Sequence, residues 1–155
     1  MIDTVLLDID GVLTDGAVYV DSSGKETKRI LFDDIDAFFE LRRAGMKIGF
    51  ITGEDNEFCQ YIKKRFEPDF FIAGCKDKLN ACKQLMEQEG LNFENMCYAG
   101  DSKKDMLLLE YLPLSFAPAD VAPCIRDAAK VILKSSRGQG IVRELADQIL
   151  HNRTL

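Results

Sequence analysis

The sequence predicts an α/β fold with a parallel central sheet and helices on both of its faces. Short apolar runs of strand length alternate along the chain with longer segments of helical character. The apolar runs are continuous, as is typical of strands that are buried on both faces. The chain has 155 residues, of which 46% are hydrophobic and 30% are charged, and this favours a single folded domain over residues 1–155.

The elements can be assigned in chain order. The first buried strand covers residues 5–7. Two strand-like runs, 17–20 and 28–32, flank a turn at residues 22–24 and predict a β-hairpin over about residues 17–31. The remaining elements are then a helix at 34–44, strand 47–51, helix 54–66, strand 70–73, helix 77–89, strand 96–99, helix 103–111, strand 114–116, helix 122–127, strand 131–133 and helix 141–150.

Composition excludes several classes of function. The sequence has a single histidine, His151, which excludes Ser-His-Asp triads and three-histidine zinc sites. Its five cysteines form no CxxC pair, so free thiols in a reducing cytoplasm are expected rather than disulfides or structural zinc. A formal net charge of −6 argues against nucleic acid as a partner. We find no signal-peptide pattern and no apolar run long enough for a membrane span, and therefore expect a cytoplasmic protein.

Polar residues suited to phosphate chemistry follow four of the predicted strands. The segments are Asp8-Ile9-Asp10-Gly11, Thr52-Gly53, Asp77-Lys78 and Gly100-Asp101-Ser102-Lys103-Lys104-Asp105. Ligands of such folds bind beyond the carboxyl ends of the strands. Two aspartates one residue apart at the end of a buried strand need a cation to offset their charge, and hard oxygen ligands favour Mg²⁺.

These segments resemble the motifs of haloacid dehalogenase-like phosphatases. The stretch from Asp8 to Gly16 is similar to their DxDGxxTDG opening, and Thr52-Gly53, Asp77-Lys78 and Gly100-Asp101 with Asp105 resemble their later motifs in order. The resemblance covers nearly the whole chain and implies a Rossmann-like fold in which a small β-hairpin replaces a cap. More narrowly, the chain resembles the capless branch that acts on 8- or 9-phosphorylated 2-keto-3-deoxy sugar acids in sugar-acid biosynthesis. The segments that point to this branch are Thr14-Asp15-Gly16, Ala117-Pro118-Ala119-Asp120 and the stretch from Arg137 to Glu144.

The resemblance implies a role for each motif residue in a two-step phosphoryl transfer. Asp8 is the nucleophile that forms an aspartyl-phosphate, and Asp10 protonates the leaving oxygen and then activates water. Thr52 and Lys78 bind the phosphoryl oxygens. Mg²⁺ is held by the Asp8 carboxylate, the Asp10 carbonyl and Asp101, while Asp105 orients Lys78 or a metal-bound water. The branch also implies a homotetramer that packs through the hairpin, with a neighbouring subunit's tail closing the site.

The substrate contacts are less well defined by the motifs. The resemblance places Gly53, Asp34, Glu54 and Arg137 at the substrate. Octulosonate 8-phosphate phosphatases of the branch often carry Asn-Val-Arg-Asp-Gly after the hairpin, whereas this chain has Asp33 and Ile35 in place of the arginine and the last glycine. They also have arginine where this chain has Glu54. Glutamate there resembles the nonulosonate 9-phosphate phosphatases, so the sequence favours the nine-carbon substrate and keeps the eight-carbon one as the next choice.

Two alternatives to a sugar-acid phosphatase stay open at the level of sequence. The first is a non-catalytic module that drives tetramer formation, although such a module needs no intact set of Asp8, Asp10, Lys78 and Asp101. The second is a phosphatase of broad specificity for sugar phosphates and nucleotides. For the favoured function, the predicted partner is a small phosphorylated sugar acid, and neither nucleic acid nor a membrane is expected as a partner.

Overall fold

The computed structural model describes residues 1–154, with the side chains of residues 153 and 154 excepted. Its strands are β1 (Thr4–Leu7), β2 (Tyr19–Val20), β3 (Glu26–Thr27), β4 (Lys47–Ile51), β5 (Phe70–Ile72), β6 (Met96–Ala99), β7 (Leu114–Ala117) and β8 (Val131–Ile132). Its helices are α1 (Phe32–Arg43), α2 (Glu57–Phe66), α3 (Lys78–Glu89), α4 (Met106–Tyr111), α5 (Pro123–Ala128) and α6 (Ile141–Thr154). A 3₁₀ turn, Lys103–Asp105, leads into α4.

Six strands form one parallel sheet in the order β5-β4-β1-β6-β7-β8, and β2 pairs with β3 in a separate antiparallel ribbon. The predicted parallel sheet and hairpin are therefore confirmed. The first strand lies at the centre of the sheet, between β4 and β6. This order places the carboxyl ends of these three strands side by side.

Alternation along each strand sends side chains to opposite faces of the sheet, and each face has its own apolar cluster. Val5 and Leu7 belong to the cluster that is covered by α1, α2 and α6. Leu6, between them, belongs to the cluster that is covered by α3, α4 and α5. Helices therefore cover both faces, as the continuous apolar strands predict.

The hairpin and several helix starts, among them those of α1 and α2, differ from the sequence-based assignment. The second hairpin strand is Glu26–Thr27 rather than 28–32, and residue Ile30 instead forms an isolated antiparallel bridge with Thr14. Helix α1 begins at Phe32, two residues before the predicted start. Helix α2 begins at Glu57, not residue 54, because the Asn56 side chain accepts a hydrogen bond from the Cys59 amide at 3.0 Å and caps the helix there.

No helix among the described residues is long and apolar enough to cross a membrane. The five cysteines are free thiols.

Candidate active site

A cleft of about 260 Å³ lies over the carboxyl ends of the central strands. Asp8 follows β1, Thr52 follows β4 and Asp101 comes two residues after β6. The lining consists of Asp8, Asp10, Gly16, Thr52, Gly53, Glu54, Lys78, Asp101, Ser102 and Lys104. Residues that are far apart in the sequence meet here because parallel strands end at the same edge of the sheet.

Lys78 lies at the floor of this cleft, at the start of α3. Its Nζ is 3.1 Å from Oδ1 of Asp8 and 2.7 Å from Oδ1 of Asp105, and its side chain is only 3% exposed. Burial lowers the pKa of Lys78, but the carboxylates of Asp8 and Asp105 outweigh burial and raise it above its ordinary value. The lysine therefore stays a cation that is held beside Asp8.

Asp105 has both carboxylate oxygens occupied. Oδ1 accepts hydrogen bonds from Lys78 Nζ and, at 2.5 Å, from the Tyr98 hydroxyl. Oδ2 accepts from the backbone amides of Asp101 at 2.9 Å and Ser102 at 3.0 Å. Burial raises the pKa of Asp105, but the Lys78 cation and these donors outweigh burial and lower it below its ordinary range. Asp105 is thus an ionised anchor for Lys78 and for the loop that carries Asp101.

The carboxylates of Asp8, Asp101 and Asp105 form a group whose oxygens lie within 4.8 Å of one another. Burial and the charge of Asp105 raise the pKa of Asp101 to about 6, although Arg137 and Lys78 act in the opposite direction. Burial and Asp105 also raise the pKa of Asp8 well above its ordinary value, even with Lys78 beside it. Burial and the neighbouring carboxylate both disfavour the ionised forms of Asp8 and Asp101, so a cation bound between them would stabilise the cluster.

Gly11 shows how closely this cluster is packed. Its φ is +85°, and a Cβ built there would lie 1.8 Å from Oδ2 of Asp101. Only glycine allows the loop after β1 to approach the Asp101 carboxylate this closely. The glycine of the opening motif therefore has a steric reason in this structure.

Asp10 points to the hairpin side of the cleft. Its Oδ1 accepts a hydrogen bond from the Thr14 hydroxyl at 3.2 Å, and both of its oxygens contact Lys28 Nζ, at 2.9 Å and 3.0 Å. Lys28 has no functional signal in the sequence, because its local pattern is that of a hairpin strand. Lys104 also lines the cleft without a predicted role, and its position shortly after β6 is the signal in the sequence that points to it.

Three of the predicted substrate contacts, Gly53, Glu54 and Arg137, lie in or beside the cleft. Gly53 and Glu54 line the cleft directly. The Arg137 guanidinium lies at the rim, 3.5 Å from Asp101 Oδ2 and 3.3 Å from Asp120 Oδ2. Glu54 and Arg137, the two side chains predicted to contact the substrate, therefore lie at the same cleft.

Asp34 is a correction to the predicted set. Asp34 is fully buried, and its Oδ1 accepts a hydrogen bond at 3.0 Å from the backbone amide of Arg143, in the first turn of α6. Asp34 therefore caps a distant helix and does not line the cleft, so the prediction of a substrate contact is wrong. The neighbouring Asp33 is exposed and lines a separate depression beside α6.

Comparison with known proteins agrees with this geometry. The family model for haloacid dehalogenase-like hydrolases matches residues 70–145. The 3-deoxy-D-manno-octulosonate 8-phosphate phosphatase of Haemophilus influenzae is 31% identical over 146 residues, which are 94% of this chain and 81% of the relative. The phosphatase of the same name from Escherichia coli K12 is 30% identical over 146 residues, which are 94% of this chain and 78% of that relative.

Solved structures give the same result. The cobalt-bound phosphatase of Haemophilus influenzae superposes with a TM-score of 0.92 at 30% identity, over 99% of this chain and 90% of that one. The Moraxella catarrhalis 3-deoxy-D-manno-octulosonate 8-phosphate phosphatase, in complex with magnesium, phosphate and the sugar acid, superposes with a TM-score of 0.90 at 27% identity. That superposition covers 97% of this chain and 86% of the Moraxella catarrhalis chain.

The chain therefore belongs to the haloacid dehalogenase-like phosphatases and is a phosphoric monoester hydrolase. Within that family it resembles the 3-deoxy-D-manno-octulosonate 8-phosphate phosphatases. The non-catalytic alternative is accordingly disfavoured.

Proposed function

We propose that this protein hydrolyses a phosphorylated 2-keto-3-deoxy sugar acid through an aspartyl-phosphate intermediate, with Mg²⁺ as cofactor. The observation that carries the proposal is the placement of Lys78 Nζ 3.1 Å from Asp8, inside a cleft that Thr52 and Asp101 also line. The two curated relatives described above are named for the octulosonate 8-phosphate substrate.

The reaction has two steps, in each of which a bond to phosphorus is exchanged. In the first, an oxygen of Asp8 bonds to phosphorus while the bond from phosphorus to the sugar oxygen breaks, and Asp10 gives its proton to that oxygen. In the second, water attacks phosphorus, Asp10 takes the water proton and Asp8 is released. Lys78 and the Thr52 hydroxyl hold the phosphoryl oxygens and stabilise the charge that develops there.

The donor set fits Mg²⁺, which binds oxygen ligands and retains several waters. The Asp8 carboxylate, the Asp10 carbonyl and Asp101 would hold the ion, because Asp105 already has both oxygens occupied. When bound, Mg²⁺ offsets the repulsion between the carboxylates and the incoming phosphate.

Of the two chain lengths, we favour the nine-carbon 9-phosphate, with the eight-carbon 8-phosphate as the second candidate. Support for the nine-carbon acid comes from Glu54, which lines the cleft where the octulosonate enzymes often carry arginine. The other departures weigh less, because Asp33 lies outside the cleft lining and Ile35 packs against the apolar core. Support for the eight-carbon acid comes from the names of the relatives.

A phosphate-release screen with Mg²⁺ tests the proposal. The panel holds both sugar-acid phosphates, several hexose phosphates and nucleotides. We expect kcat/KM at least about tenfold higher for the nine-carbon acid than for the rest of the panel, a difference of ~1.4 kcal/mol in transition-state binding. A flat profile would instead favour the broad-specificity alternative.

Two variants locate the chemistry and the specificity. Asp8→Asn should abolish turnover, while Asp36→Asn, an exposed aspartate on α1, should leave it unchanged. Glu54→Arg should shift the ratio of the two sugar-acid rates towards the eight-carbon acid, with Glu54→Gln as the matched neutral control. Full activity of Asp8→Asn would show that Asp8 is not the nucleophile.

We also propose a homotetramer built through the hairpin, in a cytoplasmic single-domain protein. Support for the assembly comes from the exposed apolar side chains of Val18, Tyr19 and Val20 on the hairpin, which are 44%, 48% and 58% exposed. Light scattering coupled to size exclusion measures the mass directly. A monomeric mass that persists at high protein concentration would contradict the tetramer.

A further inference from the structure

Lys28 joins the hairpin to the acid–base residue of the cleft. It directly follows β3, and its Nζ lies 2.9 Å and 3.0 Å from the two carboxylate oxygens of Asp10. The lysine side chain is only 12% exposed, and the Asp10 side chain is 31% exposed. A largely buried, charge-assisted contact to both oxygens restricts how the carboxyl group can rotate.

The cation is itself held in place by its surroundings. The ring centroid of Phe58, in the first turn of α2, is 4.9 Å from Lys28 Nζ, which is the geometry of a cation–π contact. Thr14, which also donates to Oδ1 of Asp10, pairs with Ile30 in the bridge at the base of the hairpin. Both segments at the base of the hairpin therefore reach the same carboxyl group.

Resting on the proposed function, in which Asp10 exchanges the proton, we propose that Lys28 is a positioning residue for Asp10. By holding the carboxyl group, Lys28 sets the direction of the Asp10 oxygen that faces the leaving group and later the water. Lys28 keeps its own protons and forms no bond in either step. When one Asp10 oxygen carries the proton, the contact to that oxygen is released and the contact to the other oxygen maintains the orientation.

A direct role for Lys28 in binding phosphate fits the structure less well. Among the described residues, Lys28 is absent from the set that lines the cleft, whereas Lys78 and Lys104 belong to it. The charge of Lys28 is already engaged by Asp10 and by the Phe58 ring. Its influence on the reaction therefore passes through Asp10.

The test compares two substrates that differ in how much they need a proton donor. The p-nitrophenolate of p-nitrophenyl phosphate leaves without protonation, whereas the alkoxide of a sugar-acid phosphate has to receive the Asp10 proton. A general acid contributes about 10²–10⁴-fold to rate, so a misdirected one loses part of that factor. For Lys28→Ala we expect kcat/KM on the sugar-acid phosphate to fall at least about tenfold, and kcat/KM on p-nitrophenyl phosphate to change less than about threefold.

Three further variants serve as controls. Lys28→Arg keeps a cation and should recover part of the selective loss. Phe58→Leu removes the ring but keeps the charge, and it should show a smaller loss on the sugar-acid phosphate alone. Lys25→Ala removes an exposed lysine from the same hairpin and should leave both substrates unaffected.

The outcomes separate this inference from the proposed function. If the wild-type protein hydrolyses neither substrate, the proposed function fails. If Lys28→Ala or Phe58→Leu, each still folded by thermal melting, loses both substrates equally or loses neither, positioning of Asp10 by Lys28 is rejected. A loss confined to the sugar-acid phosphate, with recovery in Lys28→Arg, supports it.

Discussion

Replacement of Asp105 by asparagine tests the buried charge network most severely. Oδ1 accepts from Lys78 at 2.7 Å and from Tyr98 at 2.5 Å, and Oδ2 accepts from two backbone amides. An asparagine side chain has one acceptor oxygen, so its NH₂ group would face two donors wherever it points. The variant therefore loses the ion pair with Lys78 and leaves buried donors without an acceptor.

The magnitude follows from two opposing effects. Removing one partner of a buried ion pair costs ~3–5 kcal/mol. Relief of the repulsion that Asp105 exerts on Asp8 and Asp101 offsets a part of this, so we expect a loss of about 2–4 kcal/mol in the free energy of unfolding. For a chain of this length that lowers Tm by on the order of 10 °C.

Urea unfolding and thermal melting measure this loss without added metal, and kcat is measured in parallel. Because Lys78 loses its anchor opposite Asp8, kcat should fall by about tenfold or more. Asp77→Asn is the matched control, since Asp77 caps α3 next to Lys78 and asparagine caps equally well. An unfolding free energy within ~0.5 kcal/mol of the wild type, together with an unchanged kcat, would refute the reasoning.

Three further predictions concern charge at and around the site. Burial raises the pKa of Asp34 to about 6, so the folded protein holds that proton between about pH 4 and pH 6 and loses stability as pH rises through this window. Asp34→Asn should remove ~3 kcal/mol of that pH dependence in urea unfolding, and an unchanged slope would count against it. Mg²⁺ should raise Tm of the wild type, by an amount that grows with the logarithm of its concentration above Kd, but not Tm of Asp101→Asn, and an equal shift in both would place the ion elsewhere. Arg137→Ala should raise KM for a sugar-acid phosphate about fivefold with little effect on p-nitrophenyl phosphate, and an unchanged KM would remove it from the substrate site.

The parallel sheet could be predicted because its strands are buried on both faces. Strands β4 and β6 have the predicted bounds, since Lys47–Ile51 and Met96–Ala99 are short apolar runs between polar turns. Side chains that directly follow such strands, as Asp8 and Thr52 do, must then meet at one edge. This is why the central part of the site could be derived from motif positions alone.

The hairpin could not be placed as accurately. Its strands are two residues long and exposed, so they carry no alternation of buried and exposed positions. The apolar residues at 30–32 instead lead into α1, whose capping position, Leu31, makes no side-chain hydrogen bond. The role of Lys28 depends on how this ribbon bends over the cleft, which no local pattern describes.

Asp34 shows the same limit for a buried residue. In the sequence it has the position of an acid that favours the start of its own helix. In the structure it caps α6, whose first turn lies 109 residues further along the chain. Such a contact depends on the packing of α1 against α6 and has no signal in neighbouring residues.

Trapping the covalent intermediate tests the central claim most directly. The protein is mixed with Mg²⁺ and the sugar-acid phosphate that it turns over fastest, quenched in acid during turnover and digested for mass spectrometry. The account predicts one phosphoryl group on the peptide that contains Asp8 and none on the same peptide of Asp8→Asn. In Asp10→Asn the phosphoryl group should accumulate further when the substrate is p-nitrophenyl phosphate, because its leaving group needs no proton and only water activation is slowed. A phosphoryl group on another residue, or steady turnover by Asp8→Asn, would contradict it.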